Sequence, residues 1–202
     1  MKKRVDLPEK KYEGYIFDLD GTLVDSMPLH YKAWRKALAR AGAPDRVFLA
    51  DEFYSCGGKS ANDVVRFLNE RYGMHMDAAS TAADKRRIYL EMLEEEGMQP
   101  IREVVEFVHS LGDAPKAIAT GSAMPGASRT LAAAGLSGLF DVILTPDEVE
   151  HGKPAPDMFL KAAELLGAFP DRCVVFEDAE PGMKAAAAAG MDCVHVRRAS
   201  LA

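Results

Sequence analysis

The sequence predicts an α/β protein, a doubly wound parallel sheet of Rossmann-like type with a small all-helical cap inserted after the first strand. From residue 100 onward, short apolar runs alternate with helical patterns, which is typical of a parallel sheet with helices on both faces. Residues 27–96 contain helical patterns only. We therefore expect residues 1–26 and 97–202 to form an α/β catalytic core and residues 27–96 to form the cap.

The first strand is predicted at Tyr15–Phe17, three residues that suit a strand interior. Asp18 and Asp20 follow it, and residues two apart in an extended chain point the same way. Gly21 then allows a sharp turn. Two carboxylates are therefore expected at the carboxyl end of a strand, where open α/β sheets bind ligands. Taken alone, this sequence is equally consistent with a surface turn.

The remaining elements follow from periodicity and from Gly and Pro stops. In the cap, helices are predicted over 27–41, from Ser60 onward and over 78–96. In the core, the predicted strands are 116–120, 140–144, 172–176 and 192–196, and the predicted helices are 101–111, 124–134, 156–166 and 181–189.

Composition excludes several classes of protein. The net charge of −6 argues against general nucleic-acid binding, and no apolar run is long enough to span a membrane. The charged N-terminus lacks the apolar segment of a signal peptide. Three widely spaced cysteines do not suggest disulfides, and Cys173 and Cys193 are expected as buried thiols. We expect a cytoplasmic protein that binds neither nucleic acid nor membrane.

Polar residues also follow later strands. Thr120-Gly121-Ser122 follows one strand, Glu177 and Asp178 follow another, and Lys153 lies in a loop before a helix. Separately, these groups are consistent with a helix cap, an ordinary loop and an exposed lysine. Because the carboxyl ends of parallel strands lie along one edge, we expect all of them to converge on one crevice.

This set of groups favours Mg²⁺-dependent phosphoryl transfer. Clustered carboxylates repel one another, and Mg²⁺ relieves the repulsion while also binding phosphate oxygens. The helix start after Thr120 favours a bound phosphate, and Lys153 adds positive charge. One carboxylate can attack phosphorus to form an aspartyl-phosphate, and a second can serve as general acid and base. The spacing leaves open whether Asp18 or Asp20 attacks.

The segments DLDGTLVDS, ATGS, GKPAPD and FEDAEPG, in this order, resemble the four motifs of the haloacid dehalogenase-like hydrolase superfamily, and the resemblance covers essentially the whole chain. The helical insert is similar to the cap of the β-phosphoglucomutase-like branch. The chain resembles sugar phosphatases of the fructose-1-phosphate type in the segments HYKAWRKAL and FEDAEPGMKAAAAAGMD and in its compact length. The resemblance implies a Mg²⁺-dependent phosphatase that acts on a small phosphorylated metabolite.

The resemblance also implies roles for individual residues. Asp18 would be the nucleophile and Asp20 the general acid and base. Lys153 and the turn Thr120-Gly121-Ser122 would bind the transferring phosphoryl group. The implied Mg²⁺ ligands are Asp18, the backbone carbonyl of Asp20 and Asp178, with Glu177 in support.

Cap residues are implied as well. Gly57-Gly58-Lys59-Ser60 occupies the place of the family's substrate-specificity loop, where Lys59 could meet a substrate anion. The same residues are equally consistent with a loop whose Ser60 caps the next helix. His30 and Lys85 occupy positions that assist cap closure and proton handling in mutases, although His30 is also consistent with an ordinary, partly exposed histidine.

Three alternatives to a phosphatase follow from the same motifs. A β-phosphoglucomutase would resemble this sequence closely, but Ala61 stands where mutases have an arginine that grips a second phosphate. A dehalogenase would need neither Mg²⁺ nor the Glu177-Asp178 pair. A non-catalytic binding protein on this scaffold would not need both Asp18 and Asp20.

Overall fold

The computed structural model describes residues 5–57 and 59–197, which fall into two units. One unit contains the chain up to Ser26 and from Met98 onward, and the other is Met27–Gly97. Each unit has its own apolar core. In the described part of the chain, no helix is both long and apolar enough to cross a membrane.

A parallel sheet forms the centre of the first unit. Its strands are β1 (Gly14–Phe17), β2 (Lys116–Ala119), β3 (Val142–Leu144), β4 (Cys173–Glu177) and β5 (Asp192–His195). They lie in the order β3-β2-β1-β4-β5, and every neighbouring pair is parallel. The strand that carries Asp18 and Asp20 is therefore central, with one neighbour on each side. The predicted fold class is confirmed.

The ends of the described α-helices agree with the predicted ends to within about two residues, and the structure contains one α-helix that was not predicted. They are α1 (Met27–Arg40), α2 (Ala50–Ser55), α3 (Ala61–Tyr72), α4 (Ala78–Glu96), α5 (Arg102–Ser110), α6 (Met124–Ala133), α7 (Asp157–Leu166) and α8 (Glu180–Ala188). Helix α2 was not predicted because six residues are too few to establish a helical period.

Helices cover both faces of the sheet. On one face, Ile16 and Val175 belong to the same apolar cluster as Phe159 of α7. On the other face, the ring of Tyr15 lies 6.0 Å from that of Phe107 in α5. All four residues of β1 are buried, as expected for a strand covered on both sides.

The prediction that Cys193 is buried is wrong. Cys173 is buried, whereas Cys193 is exposed. Cys173 lies in β4, which has a strand on each side. Among the described strands, β5 is the last in the sheet order and pairs with β4 alone. An apolar run at a sheet edge can form a strand without being fully covered, and this explains the difference.

The second unit is helical, as predicted for this part of the chain. Helix α4 packs against both α1 and α3. The apolar core of this unit includes Trp34, Phe48, Phe53, Val65 and Leu68. Phe48 adopts a positive φ of 60° just before α2, and its backbone N–H donates a hydrogen bond to Glu52 of that helix at 3.0 Å.

Candidate active site

Asp18 lies at the carboxyl end of the central strand and is only 7% exposed. Its backbone N–H continues the sheet by donating to the carbonyl of Phe176 at 2.9 Å. The chain then turns at Gly21, which has a φ of 91°, a conformation that favours glycine. The D-x-D-G sequence is therefore a buried strand end followed by a turn, and the surface-turn interpretation does not apply to Asp18.

Lys153 contacts this carboxylate across 135 residues of sequence. Its ammonium donates to Asp18 Oδ1 at 2.7 Å and to Glu177 Oε1 at 2.9 Å, and its side chain is only 7% exposed. The interpretation as a surface lysine is excluded. The loop before α7 is closed by Asp157, whose carboxylate lies 3.2 Å from the backbone nitrogen and 3.1 Å from the ring nitrogen of His151.

Glu177 is held by both of its carboxylate oxygens. Oε1 accepts from Lys153, and Oε2 accepts from the backbone N–H groups of Asp178 at 2.7 Å and Ala179 at 3.2 Å. Gly182 in α8 provides the space for this side chain, since a β-carbon there would lie 1.7 Å from Oε1. Sequence reasoning assigned no role to Gly182 beyond its place in the FEDAEPG segment.

Asp20 lies between two serine hydroxyls. Ser26 donates to Oδ1 and Ser122 donates to Oδ2, both at 2.6 Å. Ser122 was a predicted site residue, whereas Ser26 was missed although it closes the DLDGTLVDS segment. Ser26 follows Asp20 by six residues in the sequence, a spacing that matches neither the strand period nor the helix period. The spacing therefore did not predict this contact.

Thr120 follows β2 directly and therefore lies at the same edge of the sheet as Asp18. Thr120 is fully buried, its N–H donates to the carbonyl of Leu144 at 3.0 Å, and its hydroxyl accepts from the N–H of Ser122 at 3.1 Å. The N-cap of α6 is Ala123, which makes no side-chain capping bond. Gly121 is exposed. Thr120 and Ser122 therefore do not serve as the N-cap of α6.

Three carboxylates are suitably placed for a metal ion. Asp18, Glu177 and Asp178 each offer an oxygen within 4.8 Å of the others. Such oxygen donors are the ligands that Mg²⁺ prefers. The donor set of three buried carboxylates fits Mg²⁺.

Crowding of these charges changes their proton affinities. Burial, and then the negative charge of Glu177, hold the pKa of Asp18 well above its usual range, although Lys153 acts in the opposite direction. Burial lowers the pKa of Lys153, but the charges of Asp18 and Glu177 outweigh it and raise the pKa above the ordinary value. Lys153 is therefore cationic, and an added cation would stabilise the carboxylate form of Asp18.

In the helical unit, the structure brings His30 and Lys85 together. Their Nδ1 and Nζ atoms lie 2.9 Å apart, and the His30 ring stacks on Tyr89 at 4.0 Å. The ammonium of Lys85 also lies 5.6 Å and 5.3 Å from the ring centres of Trp34 and Tyr89. His30 is partly exposed and packs in a cluster with Lys85 and Tyr89.

The geometry of residues 57 and 59–60 supports the interpretation that this segment is a loop in which Ser60 caps α3. Ser60 is the N-cap of α3, where its hydroxyl accepts from the N–H of Asp63 at 3.1 Å and lies 2.6 Å from the Asp63 carboxylate. Lys59 is exposed, and its ammonium lies 5.7 Å from the centre of the Phe67 ring. Gly58 lies outside the described residues. The loop therefore holds Ser60 in a helix cap and leaves Lys59 accessible.

Comparison with known proteins shows the family of this chain. The sequence model of the haloacid dehalogenase-like hydrolases matches residues 12–190. Fructose-1-phosphate phosphatase YqaB of Escherichia coli (strain K12) is 38% identical over 189 residues, 93% of this chain and 98% of that protein.

Solved structures give the same result. A mutant of CbbY from Rhodobacter sphaeroides, in complex with xylulose-(1,5)bisphosphate, is 25% identical with a TM-score of 0.78, covering 90% of this chain and 84% of that one. β-Phosphoglucomutase from Clostridium difficile is 27% identical with a TM-score of 0.74, covering 90% and 83%. The predicted resemblance and the predicted hydrolase class are both confirmed. The chain belongs to the haloacid dehalogenase-like hydrolases, in the branch that includes β-phosphoglucomutase.

Proposed function

We propose that this protein is a Mg²⁺-dependent phosphatase that hydrolyses a small sugar phosphate through an aspartyl-phosphate intermediate. The observation that carries the proposal is the pairing of Lys153 with Asp18 at the end of the central strand, next to the Glu177 carboxylate. A buried carboxylate beside a fixed cation provides a nucleophile and a positive charge for a phosphoryl group.

In the first step, the carboxylate of Asp18 attacks phosphorus and the bond from phosphorus to the sugar oxygen breaks. Lys153, already within hydrogen-bond distance of Asp18, binds a phosphoryl oxygen, together with Thr120 and the backbone of Gly121. The leaving oxygen takes a proton from Asp20. Once Asp20 is protonated, its O–H group needs a hydrogen-bond acceptor. A serine hydroxyl can rotate and accept this bond, because a hydroxyl both donates and accepts hydrogen bonds.

In the second step, Asp20 acts as the base that removes a proton from water as the water attacks the phosphorus of the intermediate. The bond between phosphorus and the Asp18 oxygen breaks, which releases inorganic phosphate and restores the Asp18 carboxylate. Both serine hydroxyls donate to Asp20 in the structure, an arrangement that favours the carboxylate form required of a base. Ser26 and Ser122 are therefore assigned the role of keeping Asp20 oriented for proton transfer.

Mg²⁺ would be held by Asp18, Asp178 and the backbone carbonyl of Asp20, with Glu177 orienting the set, and would supply positive charge to the phosphoryl oxygens. Asp178 lies directly against the turn after Asp20, since a β-carbon at Gly21 would be 2.6 Å from its Oδ2. This close approach supports a site made from both segments.

The sugar phosphate is proposed from the similarity to YqaB and from the polar groups of the helical unit. His30, Lys85 and Lys59 are proposed to bind the substrate outside its transferred phosphoryl group. We also propose a cytoplasmic location, where the three free thiols would stay reduced. The fructose-1-phosphate type of substrate rests on the relative alone.

The second candidate is a β-phosphoglucomutase, favoured by the structural similarity to the Clostridium difficile enzyme. A mutase returns a phosphorylated product and depends on a sugar bisphosphate, whereas a phosphatase releases inorganic phosphate. Ala61 in place of the mutase arginine supports hydrolysis.

The test is release of inorganic phosphate from sugar monophosphates, including fructose 1-phosphate and β-glucose 1-phosphate, with Mg²⁺ and with a chelator. We expect Mg²⁺-dependent release by the parent protein and by Asp147→Asn, a control at an exposed carboxylate outside the site. Asp18→Asn should retain its fold and lose turnover by at least about a thousandfold, because the amide is not a nucleophile. Appreciable turnover by Asp18→Asn would refute the nucleophile, and activity that survives chelation would indicate a metal-independent hydrolase.

A further inference from the structure

Lys153 has a third contact besides its two carboxylates. Its ammonium lies 5.1 Å from the centre of the Phe159 ring, within the range in which a ring face attracts a cation. Phe159 belongs to α7, six residues after Lys153, and is fully buried. The contact is therefore shielded from water, which strengthens it.

The ring also limits the directions from which an anion can approach. An ammonium has three N–H donors, and Asp18 and Glu177 accept from two of them. The face of an aromatic ring is electron-rich, so it attracts the ammonium and repels an anion. The side of the ammonium that faces Phe159 is therefore unsuitable for a phosphoryl oxygen.

We propose that Phe159 is a positioning residue whose ring holds the Lys153 ammonium between Asp18 and Glu177, so that the transferring phosphoryl group meets a fixed positive charge. This inference rests on the proposed phosphatase function. It assigns a role in the reaction to a residue that would otherwise be counted only as part of the apolar core between α7 and the sheet.

Phe159 could act by holding the ammonium or only by filling the apolar core. To separate these two roles, the charge distribution of the ring must change while its size stays nearly constant. Phenylalanines with one, two or three ring fluorines provide this change, because fluorine withdraws electron density from the ring face and so weakens its attraction for a cation. The same series at Phe48 is the matched control, since that ring is also fully buried and packs against Trp34 and Phe53.

The first measurement is steady-state hydrolysis of p-nitrophenyl phosphate with Mg²⁺, at a temperature where every variant is folded. We expect kcat to fall stepwise with fluorination at residue 159, by about tenfold at three fluorines, with little change in KM. The series at Phe48 should leave both constants unchanged. A constant kcat across the series at residue 159, or an equal fall at Phe48, would overturn the proposal.

The second measurement is urea unfolding of the residue-159 series in the parent and in a Lys153→Met background. We expect fluorination to lower the unfolding free energy in the parent but not in Lys153→Met, because the ring then has no ammonium to contact. Equal effects in both backgrounds would also overturn the proposal, and if Lys153→Met does not fold, the kinetic series decides alone. Absence of turnover in the parent, both of p-nitrophenyl phosphate and of the sugar monophosphates, would instead refute the phosphatase function.

Discussion

Replacing Gly182 by alanine should disrupt the site by displacing Glu177. The new β-carbon would lie 1.7 Å from Oε1, 2.2 Å from Cδ and 2.5 Å from Cγ of Glu177. These distances are far below van der Waals contact, and three atoms of one side chain are involved. Glu177 must therefore leave its position, or α8 must move away from β4.

The expected cost follows from what Glu177 would leave behind. Lys153 would lose one of its two buried carboxylate partners, and removing one member of a buried ion pair costs about 3–5 kcal/mol. The N–H groups of Asp178 and Ala179 would also lose their acceptor, at about 1–3 kcal/mol for each donor left buried. The better helix propensity of alanine offsets only about 1 kcal/mol. If Glu177 leaves its position completely, we expect a net loss of about 4–10 kcal/mol, a large share of a typical stability.

The chain contains a matched control for this substitution. Gly126 is the third residue of α6 and follows a proline, as Gly182 does in α8, but a β-carbon at 126 would have no atom within 4 Å. Gly126→Ala should therefore be neutral or stabilise the protein by up to about 1 kcal/mol. Urea unfolding of both variants gives the comparison, and the Mg²⁺ concentration for half-maximal activity should rise in Gly182→Ala only.

A double substitution tests the stated cause. In Glu177→Ala, the atoms that clash with residue 182 are absent, so adding Gly182→Ala should cost nothing and should stabilise α8 slightly. The reasoning is refuted if Gly182→Ala is as mild as Gly126→Ala, or if it costs as much in the Glu177→Ala background as in the parent.

Two further predictions concern other contacts. Ser122→Ala should lower kcat by about tenfold to a hundredfold with little change in KM. The reason is that Asp20 loses one of its two hydroxyl partners and is less well oriented for proton transfer. Steady-state kinetics measures both constants, and an unchanged kcat would contradict the prediction. Burial and the carboxylate of Asp192 raise the pKa of Tyr12 to about 12 from a usual 10.0, so the folded protein retains a proton that the unfolded chain loses. The contribution of protonated Tyr12 to the unfolding free energy should be fully present below pH 10 and should disappear as the pH rises toward about 12. Urea unfolding of the parent and of Tyr12→Phe at pH 9 and pH 11 measures this contribution. A difference in unfolding free energy between parent and variant that does not change with pH would contradict the prediction.

The sequence by itself determined much of the architecture. Alternating short apolar runs and helical patterns predicted the parallel sheet, the helical unit after the first strand and most helix boundaries, because these features depend on local periodicity. The same alternation predicted that Asp18, Thr120, Glu177 and Asp178 would follow strand ends. Parallel strands place their carboxyl ends on one edge, so the convergence of these residues followed from the fold class.

Only the tertiary structure decided which side chains touch. The contacts of Lys153 with Asp18 and of Ser122 with Asp20 span 135 and 102 residues, and no local period encodes such distances. The place of Phe159 beneath the ammonium and the need for glycine at 182 depend on how α7 and α8 pack against the sheet. The exposure of Cys193 depends on β5 being an edge strand. Local sequence sets the elements, whereas strand order and helix packing set the distances that make a site.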